Sequence, residues 1–309
     1  MKKVLVTCPP MIQQIGRYKN LFKKLHLEYY APKVLQTISQ KELIHLIKDF
    51  DGWIIGDDPA SREVLVAGKK SKLRVAIKWG IGTDNVDIDA CEDLNIKFSN
   101  TPNLFGKEVA DLAICYLIGL ARDAFLIDRE VKKGSWIKPS GISLKDKKLG
   151  VVGLGDIGRN IAKRAKAFEM KVYGWDPISI NTPKYINHLK SWPVGLIDCD
   201  FLVFACALTK NNFHMFDHST LKYLKKGMKV INISRGGLIK ESALIEGLEK
   251  GLISSAALDV FEKEPLNQSN KLLTFEKCIF GSHNASNTIE AVDRASIKSI
   301  NLVSKFLYG

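Results

Sequence analysis

Long apolar runs are missing from this chain. The longest, Val109 to Ala121, contains Asp111 and is too short to cross a bilayer, so no membrane partner is expected. The N-terminus lacks a signal-peptide core: Met1-Lys2-Lys3-Val4-Leu5-Val6-Thr7-Cys8 meets two prolines after a few apolar residues, and reads as a first β-strand. None of the cysteines (8, 91, 115, 199, 206, 278) forms a CxxC pair or a regular spacing. That pattern fits reduced thiols filling core volume in a cytoplasmic protein, and no metal site is expected. Short repeats, low-complexity tracts and flexible linkers are also missing.

Acidic residues are the scarcer charge, leaving a formal net charge of +13. A nucleic-acid partner would call for a dense basic stretch, and the lysine pairs are instead scattered along the chain. The excess is therefore assigned to solvated faces, with no nucleic acid expected. A positive exterior still raises the arrival rate of anionic substrates and cofactors.

What the sequence does contain is alternation. Short apolar runs predict strands at 3–7, 52–55, 74–78, 149–153, 171–175, 201–205, 229–233, 254–258 and 278–280. Helical patterns fall between them at 40–48, 62–69, 157–167, 221–225 and 241–250. This order points to an α/β fold of parallel sheets covered by helices. A long helix is expected over 104–133, and a last one over 288–307 with apolar residues at 289, 292, 297, 300, 303 and 307.

Directly after the strand pattern Leu149-Gly150-Val151-Val152 comes Gly153-Leu154-Gly155-Asp156-Ile157-Gly158, then an alanine-rich helix pattern. The first glycine permits a tight turn, the second a close approach to a pyrophosphate, and the third close packing of helix on strand. A GxGxxG alone is weak evidence. Here the strand before, the helix after, and a second strand ending in Asp176 agree with it. That carboxylate suits ribose hydroxyls and would repel a 2′-phosphate, so NAD is expected rather than NADP.

Three later residues form a chemically usable set. Arg235 follows the apolar run Val230–Ile233, Glu264 precedes Pro265, and His283 follows Gly281-Ser282. Reduction of a 2-keto acid needs a proton donor and a cation for the carboxylate. Histidine beside a carboxylate supplies the first, and arginine the second. Taken singly, each is as readily a loop or surface residue, and spacing alone does not decide.

The whole chain resembles the D-isomer-specific 2-hydroxyacid dehydrogenase family, which includes D-lactate and D-3-phosphoglycerate dehydrogenases. The resemblance is carried by Trp79-Gly80-Ile81-Gly82-Thr83-Asp84, Asn100-Thr101-Pro102-Asn103, the glycine turn, and Asn232-Ile233-Ser234-Arg235-Gly236-Gly237. It continues through Ala257-Leu258-Asp259-Val260-Phe261 with Glu264-Pro265, and Ser282-His283. It implies two Rossmann-like doubly wound domains with the active site in the cleft between them. Residues 1–100 and a C-terminal helix, 287–309, would form the substrate domain, and 101–286 the NAD-binding domain. It further implies that His283 is the acid/base, supported by Glu264, and that Arg235 grips the substrate carboxylate with the amides of Gly80 and Ile81. Asp259 would hold the nicotinamide carboxamide, Ser234 would line the ring pocket, and Thr209 and Ile233 would complete the cofactor site. A homodimer through the cofactor domain is implied, with 104–136 at its interface. A corepressor-like NAD(H)-sensing protein on the same fold is the alternative.

Departures from the family pattern are few. Asp111 stands where glutamate is usual, Ala207 and Ser282 where proline is usual. Gly56-Asp57-Asp58 occupies the stretch where phosphoglycerate dehydrogenases tend to carry phosphate-holding residues. An acidic pair there argues against a phosphorylated substrate, with Lys78 near enough to compensate. Retention of Glu264 argues against formate oxidation, which needs no proton transfer. The chain ending at Gly309 suggests a short form without a regulatory domain.

Overall fold

The computed structural model describes residues 1–178, 182–189 and 191–309. They divide into two compact units, Met1–Phe105 with Ser286–Gly309, and Gly106–Ala285. The Asn100-Thr101-Pro102 turn, placed by the sequence at the start of the second unit, belongs to the first. Thr101 ties it there: its N–H donates to the Gly80 carbonyl at 3.0 Å, and its hydroxyl accepts the Gly80 N–H at 2.8 Å.

In the first unit the strands are β1 (Lys2–Val6), β2 (Leu27–Tyr30), β3 (Gly52–Ile55), β4 (Val75–Lys78) and β5 (Lys97–Asn100), all parallel in the order β2-β1-β3-β4-β5. The second unit carries β6 (Lys148–Val152), β7 (Lys171–Trp175), β8 (Ile186–Leu189), β9 (Phe201–Phe204), β10 (Met228–Asn232), β11 (Ile253–Leu258) and β12 (Ile279–Phe280). Its order is β8-β7-β6-β9-β10-β11-β12, again all parallel. Both sheets are parallel, as the alternation predicts, and doubly wound, as the family resemblance implies. Central strands are covered on both faces, which is why β9, Phe-Leu-Val-Phe, is buried throughout.

The first core gathers Leu5, Trp53, Ile55 and Ala76 with Leu43 and Val64 from the helices, and the Trp53 indole N–H donates to Thr7 Oγ1 at 2.9 Å. The second gathers Val152, Leu202, Phe204, Val230 and Leu258.

The expected helix over 104–133 is two helices, Gly106–Arg122 and Ala124–Lys132. They part at Asp123, whose φ of +49° is left-handed and cannot continue a right-handed helix. The first buries Val109, Ala113, Tyr116, Leu117 and Leu120, whereas the second buries none of its residues. The helix expected at 221–225 is a 3-10 turn, Thr220–Tyr223.

The last helix, Ile289–Tyr308, packs on β3 and β4. Its buried face differs from the apolar set read from sequence. Ile289 and Ile297 are 60% and 43% exposed, while Ala291, Ala295, Ser296 and Ser299 are buried beside Ile300 and Val303. Small residues let the helix lie close to the sheet: a Cβ at Gly52 would sit 3.1 Å from Val303 Cγ1. Ser296 also accepts the Trp79 indole N–H at 3.2 Å. Replacing Ala295 by leucine is therefore expected to cost about 1–3 kcal/mol through overpacking. A urea midpoint unchanged from the parent protein would refute that packing.

Candidate active site

Every residue assigned to the second unit's chemistry follows the C-terminal end of a strand. In sheet order these are Asp176 after β7, Gly153 after β6, Thr209 after β9, Arg235 after β10, Asp259 after β11 and His283 after β12. In a parallel sheet all these ends share one edge, and at ~4.8 Å per strand the row from β7 to β12 runs about 24 Å. The winding direction reverses between β6 and β9, and such switch points open the crevices where ligands bind.

The glycine turn sits at that reversal. Gly153 has φ +94°, and a Cβ on it would lie 2.6 Å from the backbone N and Cα of Cys206. A Cβ on Gly158 would lie 1.8 Å from the Gly153 carbonyl oxygen, so the helix Asp156–Ala167 can start only on a glycine there. Gly155 is different: a Cβ there would meet nothing within 4 Å. Its missing side chain clears open space over the first-turn amides of a helix, which suits a pyrophosphate. Asp176 accepts the Leu154 N–H on Oδ2 at 2.7 Å and the Ile178 N–H on Oδ1 at 2.9 Å. It thus fixes the loop while staying partly exposed at the strand end. Asp156 packs on the neighbouring helix, where a Cβ on Gly106 would meet its Oδ2 at 2.1 Å. Ile157 lies in the first helical turn, and exposed Thr209 donates its N–H to Asn212 Oδ1 at 2.7 Å. These features fit a dinucleotide.

His283 and Glu264 meet, with Nδ1 and Oε2 2.8 Å apart. The other glutamate oxygen accepts the Phe261 N–H at 2.9 Å, which fixes the carboxylate's orientation. His283 has φ +55°, a left-handed conformation costing a non-glycine residue about 1–2 kcal/mol. Its N–H donates to the Asp259 carbonyl at 2.7 Å, and the Ala285 N–H donates to Asp259 Oδ2 at 2.8 Å. Asp259 itself is 1% exposed, and its Oδ1 accepts the Tyr116 hydroxyl at 3.2 Å.

Arg235 stands in extended backbone after β10, held from below by Asn232, whose amide donates to the Arg235 carbonyl at 2.9 Å. A Cβ on Gly236 would overlap the Phe261 carbonyl carbon at 1.9 Å, so the Arg235 loop and the Glu264 loop touch backbone to backbone. Ile233 is buried, and the Ser234 hydroxyl donates to the Cys206 carbonyl.

In the first unit, Gly80 has φ +136° and Ile81 accepts the Asn100 side-chain amide at 2.8 Å. Lys78 is 1% exposed, with its ammonium 2.9 Å from Asp57 Oδ1 and donating also to the Gly56 carbonyl. Asp58 is buried and accepts the Ile38 N–H at 2.7 Å, and burial raises its carboxyl above the usual range. The two aspartates seen as an acidic pair in sequence thus differ. One neutralises Lys78, and the other points inward.

The family description D-isomer specific 2-hydroxyacid dehydrogenase, NAD binding domain, matches residues 114–285. The chain belongs to that family. A D-3-phosphoglycerate dehydrogenase of Methanocaldococcus jannaschii is 34% identical over 320 residues, covering 100% of this chain, which spans 58% of the relative's length. A hydroxypyruvate reductase of Thermotoga maritima is 31% identical over 277 residues, covering 88% of this chain and 90% of its own. Among solved structures, a glyoxylate reductase from Paecilomyes thermophila shares the fold with a TM-score of 0.84 at 25% identity, covering 100% of this chain and 96% of that one. NAD is accordingly the cofactor of the second unit, as the glycine turn and Asp176 predict.

Sequence reasoning missed Tyr116 and the role of Cys206 in the turn. Tyr116 carries one faint signal, a hydroxyl among buried helix residues that are otherwise glycine or apolar. Cys206 carries none, because only its backbone is used against Gly153.

Two tests follow from this geometry. Gly158→Ala should weaken NADH binding by more than ~tenfold, since a core-level clash of this kind cannot be absorbed by a side chain. A fluorescence titration with parental affinity would exclude the turn as the pyrophosphate site. Burial, with Asp176 nearby, pushes the Cys206 thiol up to about 11. Thiolate is the reactive form, so Cys206 alkylation should rise about tenfold per pH unit from pH ~7 to ~10 without levelling. Exposed Cys115 should be labelled first. Mass spectrometry of iodoacetamide-treated protein reads both.

Proposed function

We propose that the protein is an NAD-dependent dehydrogenase interconverting a D-2-hydroxy acid and its 2-keto acid. The observation that carries this is the His283–Glu264 pair at 2.8 Å, in a unit belonging to the family's NAD binding domain. Bound NADH supplies the hydride. His283 Nε2 delivers a proton to the alkoxide oxygen that forms from the substrate carbonyl. Glu264 on Nδ1 orients the ring and favours the imidazolium that carries this proton. In oxidation the neutral ring takes the hydroxyl proton instead. Arg235 grips the substrate carboxylate through its planar guanidinium. Of the two amides expected in the first unit, Ile81 is the donor we assign, because the Gly80 N–H is already given to Thr101.

The substrate we favour is unphosphorylated. Lys78, the buried cation at the end of β4, is committed to Asp57 and has no charge to spare for a phosphate. A homodimer is supported by apolar side chains left exposed just after the helix break: Phe125, Val131 and Trp136, the last 79% exposed. Free cysteines suit a cytoplasmic, reducing compartment.

Purified protein with NADH should consume absorbance with a 2-keto acid, hydroxypyruvate being preferred over 3-phosphohydroxypyruvate. His283→Ala should lose roughly 10²–10⁴ in turnover and still bind NADH. Glu264→Gln should move the optimum for reduction to lower pH, since the imidazolium loses its support. Undiminished turnover by His283→Ala removes the assigned acid, and turnover on no keto acid removes the dehydrogenase reading.

A further inference from the structure

We propose that Tyr116 is a positioning residue that holds His283 in place through Asp259, an inference that rests on the dehydrogenase reading above. Asp259 is the point where three constraints on the histidine loop converge. Its carbonyl accepts the His283 N–H at 2.7 Å, and its Oδ2 accepts the Ala285 N–H at 2.8 Å. The loop is thus stapled to one residue on both sides of the strained +55° turn. The second staple restrains one oxygen of the Asp259 carboxylate and leaves the other to be held. That other oxygen is Oδ1, and its donor is the Tyr116 hydroxyl at 3.2 Å.

The contact is tightly built. A Cβ on Gly281 would lie 2.1 Å from Asp259 Oδ1 and 2.4 Å from the Tyr116 oxygen, so the loop passes directly over the pair. Burial first, and then the adjacent Asp259 charge, push the Tyr116 phenol well above its usual range. Its proton therefore stays on the phenol and is donated to Asp259 across the working pH range. Tyr116 projects from the buried helix Gly106–Arg122, a rigid support rather than a loop. The chain of support runs helix, Tyr116, Asp259, loop, His283, and ends at the ring nitrogen facing Glu264.

A structural role alone would change stability without changing the histidine. The test is Tyr116→Phe, which keeps the ring and removes the donor, read by thermal midpoint, turnover and NMR titration of the His283 ring. The His283 resonance is assigned by its loss in His283→Asn. Turnover should fall roughly tenfold to hundredfold, as for a slightly misplaced catalytic group. The His283 midpoint should move in the direction given by Glu264→Gln, because a loosened loop weakens the pair with the carboxylate. Should Tyr116→Phe fail to fold, Gly281→Ala displaces the same carboxylate from the loop side and should shift the His283 midpoint likewise. An unmoved His283 titration in the folded variant overturns the inference. If the parent protein turns over no keto acid, the dehydrogenase reading fails by itself, and the titration still decides the positioning.

Discussion

Parallel strand direction is the constraint on which the second unit's chemistry rests. Seven strands running the same way deliver seven loops to one edge, spaced by the hydrogen-bond ladder and ordered by the winding. Residues far apart in sequence, Asp176 and His283 for instance, take places in one row because their strands do. The ladder is continued into the loops: the Gly153 N–H donates to the Trp175 carbonyl at 2.8 Å, and the Asp259 N–H to the Asn232 carbonyl at 2.9 Å. The loops are therefore placed by the sheet before any side chain acts.

The carboxylates of this edge are handled in a common way. Asp176, Asp259 and Glu264 each accept a backbone amide from a nearby loop, Leu154, Ala285 and Phe261 respectively. A carboxylate held away from water needs donors on its oxygens, and main-chain amides offer them without the entropy of a lysine or arginine stem. Each acid thereby fixes backbone as well as presenting charge. Lys78 and Asp57 in the first unit solve the same problem differently, as a direct ion pair around a buried ammonium.

The central strands and the glycine turn were legible in sequence because two-sided burial demands an unbroken apolar run, and because Gly153 and Gly158 have no tolerable substitute where they stand. The strands that escaped, β2, β5 and β8, are all at sheet edges. Half-exposed sequences such as Lys-Phe-Ser-Asn carry no such run. The helix break at Asp123 escaped because a left-handed aspartate looks like any other acid in a helical pattern. On the last helix, the bulky residues at 289 and 297 fit the apolar spacing, while buried alanines and serines make the contact. The His283, Glu264 and Arg235 set was suggested by chemistry and family pattern. The Tyr116 support was not, because it depends on a hydrogen bond between residues 143 positions apart.

The first unit is assembled from two pieces of chain separated by the whole of the second. Its β3 and β4 are synthesised early, yet the helix that covers them, Ile289–Tyr308, leaves the ribosome only after residues 106–285. The second unit is continuous and can complete its core as it emerges. The unit made first is therefore finished last, with the apolar face around Gly52 and Val4 waiting, uncovered, for Val303. Chaperone dependence during translation would concentrate on that waiting sheet, and a nascent chain stalled before residue 289 would be the species at greatest risk of aggregation.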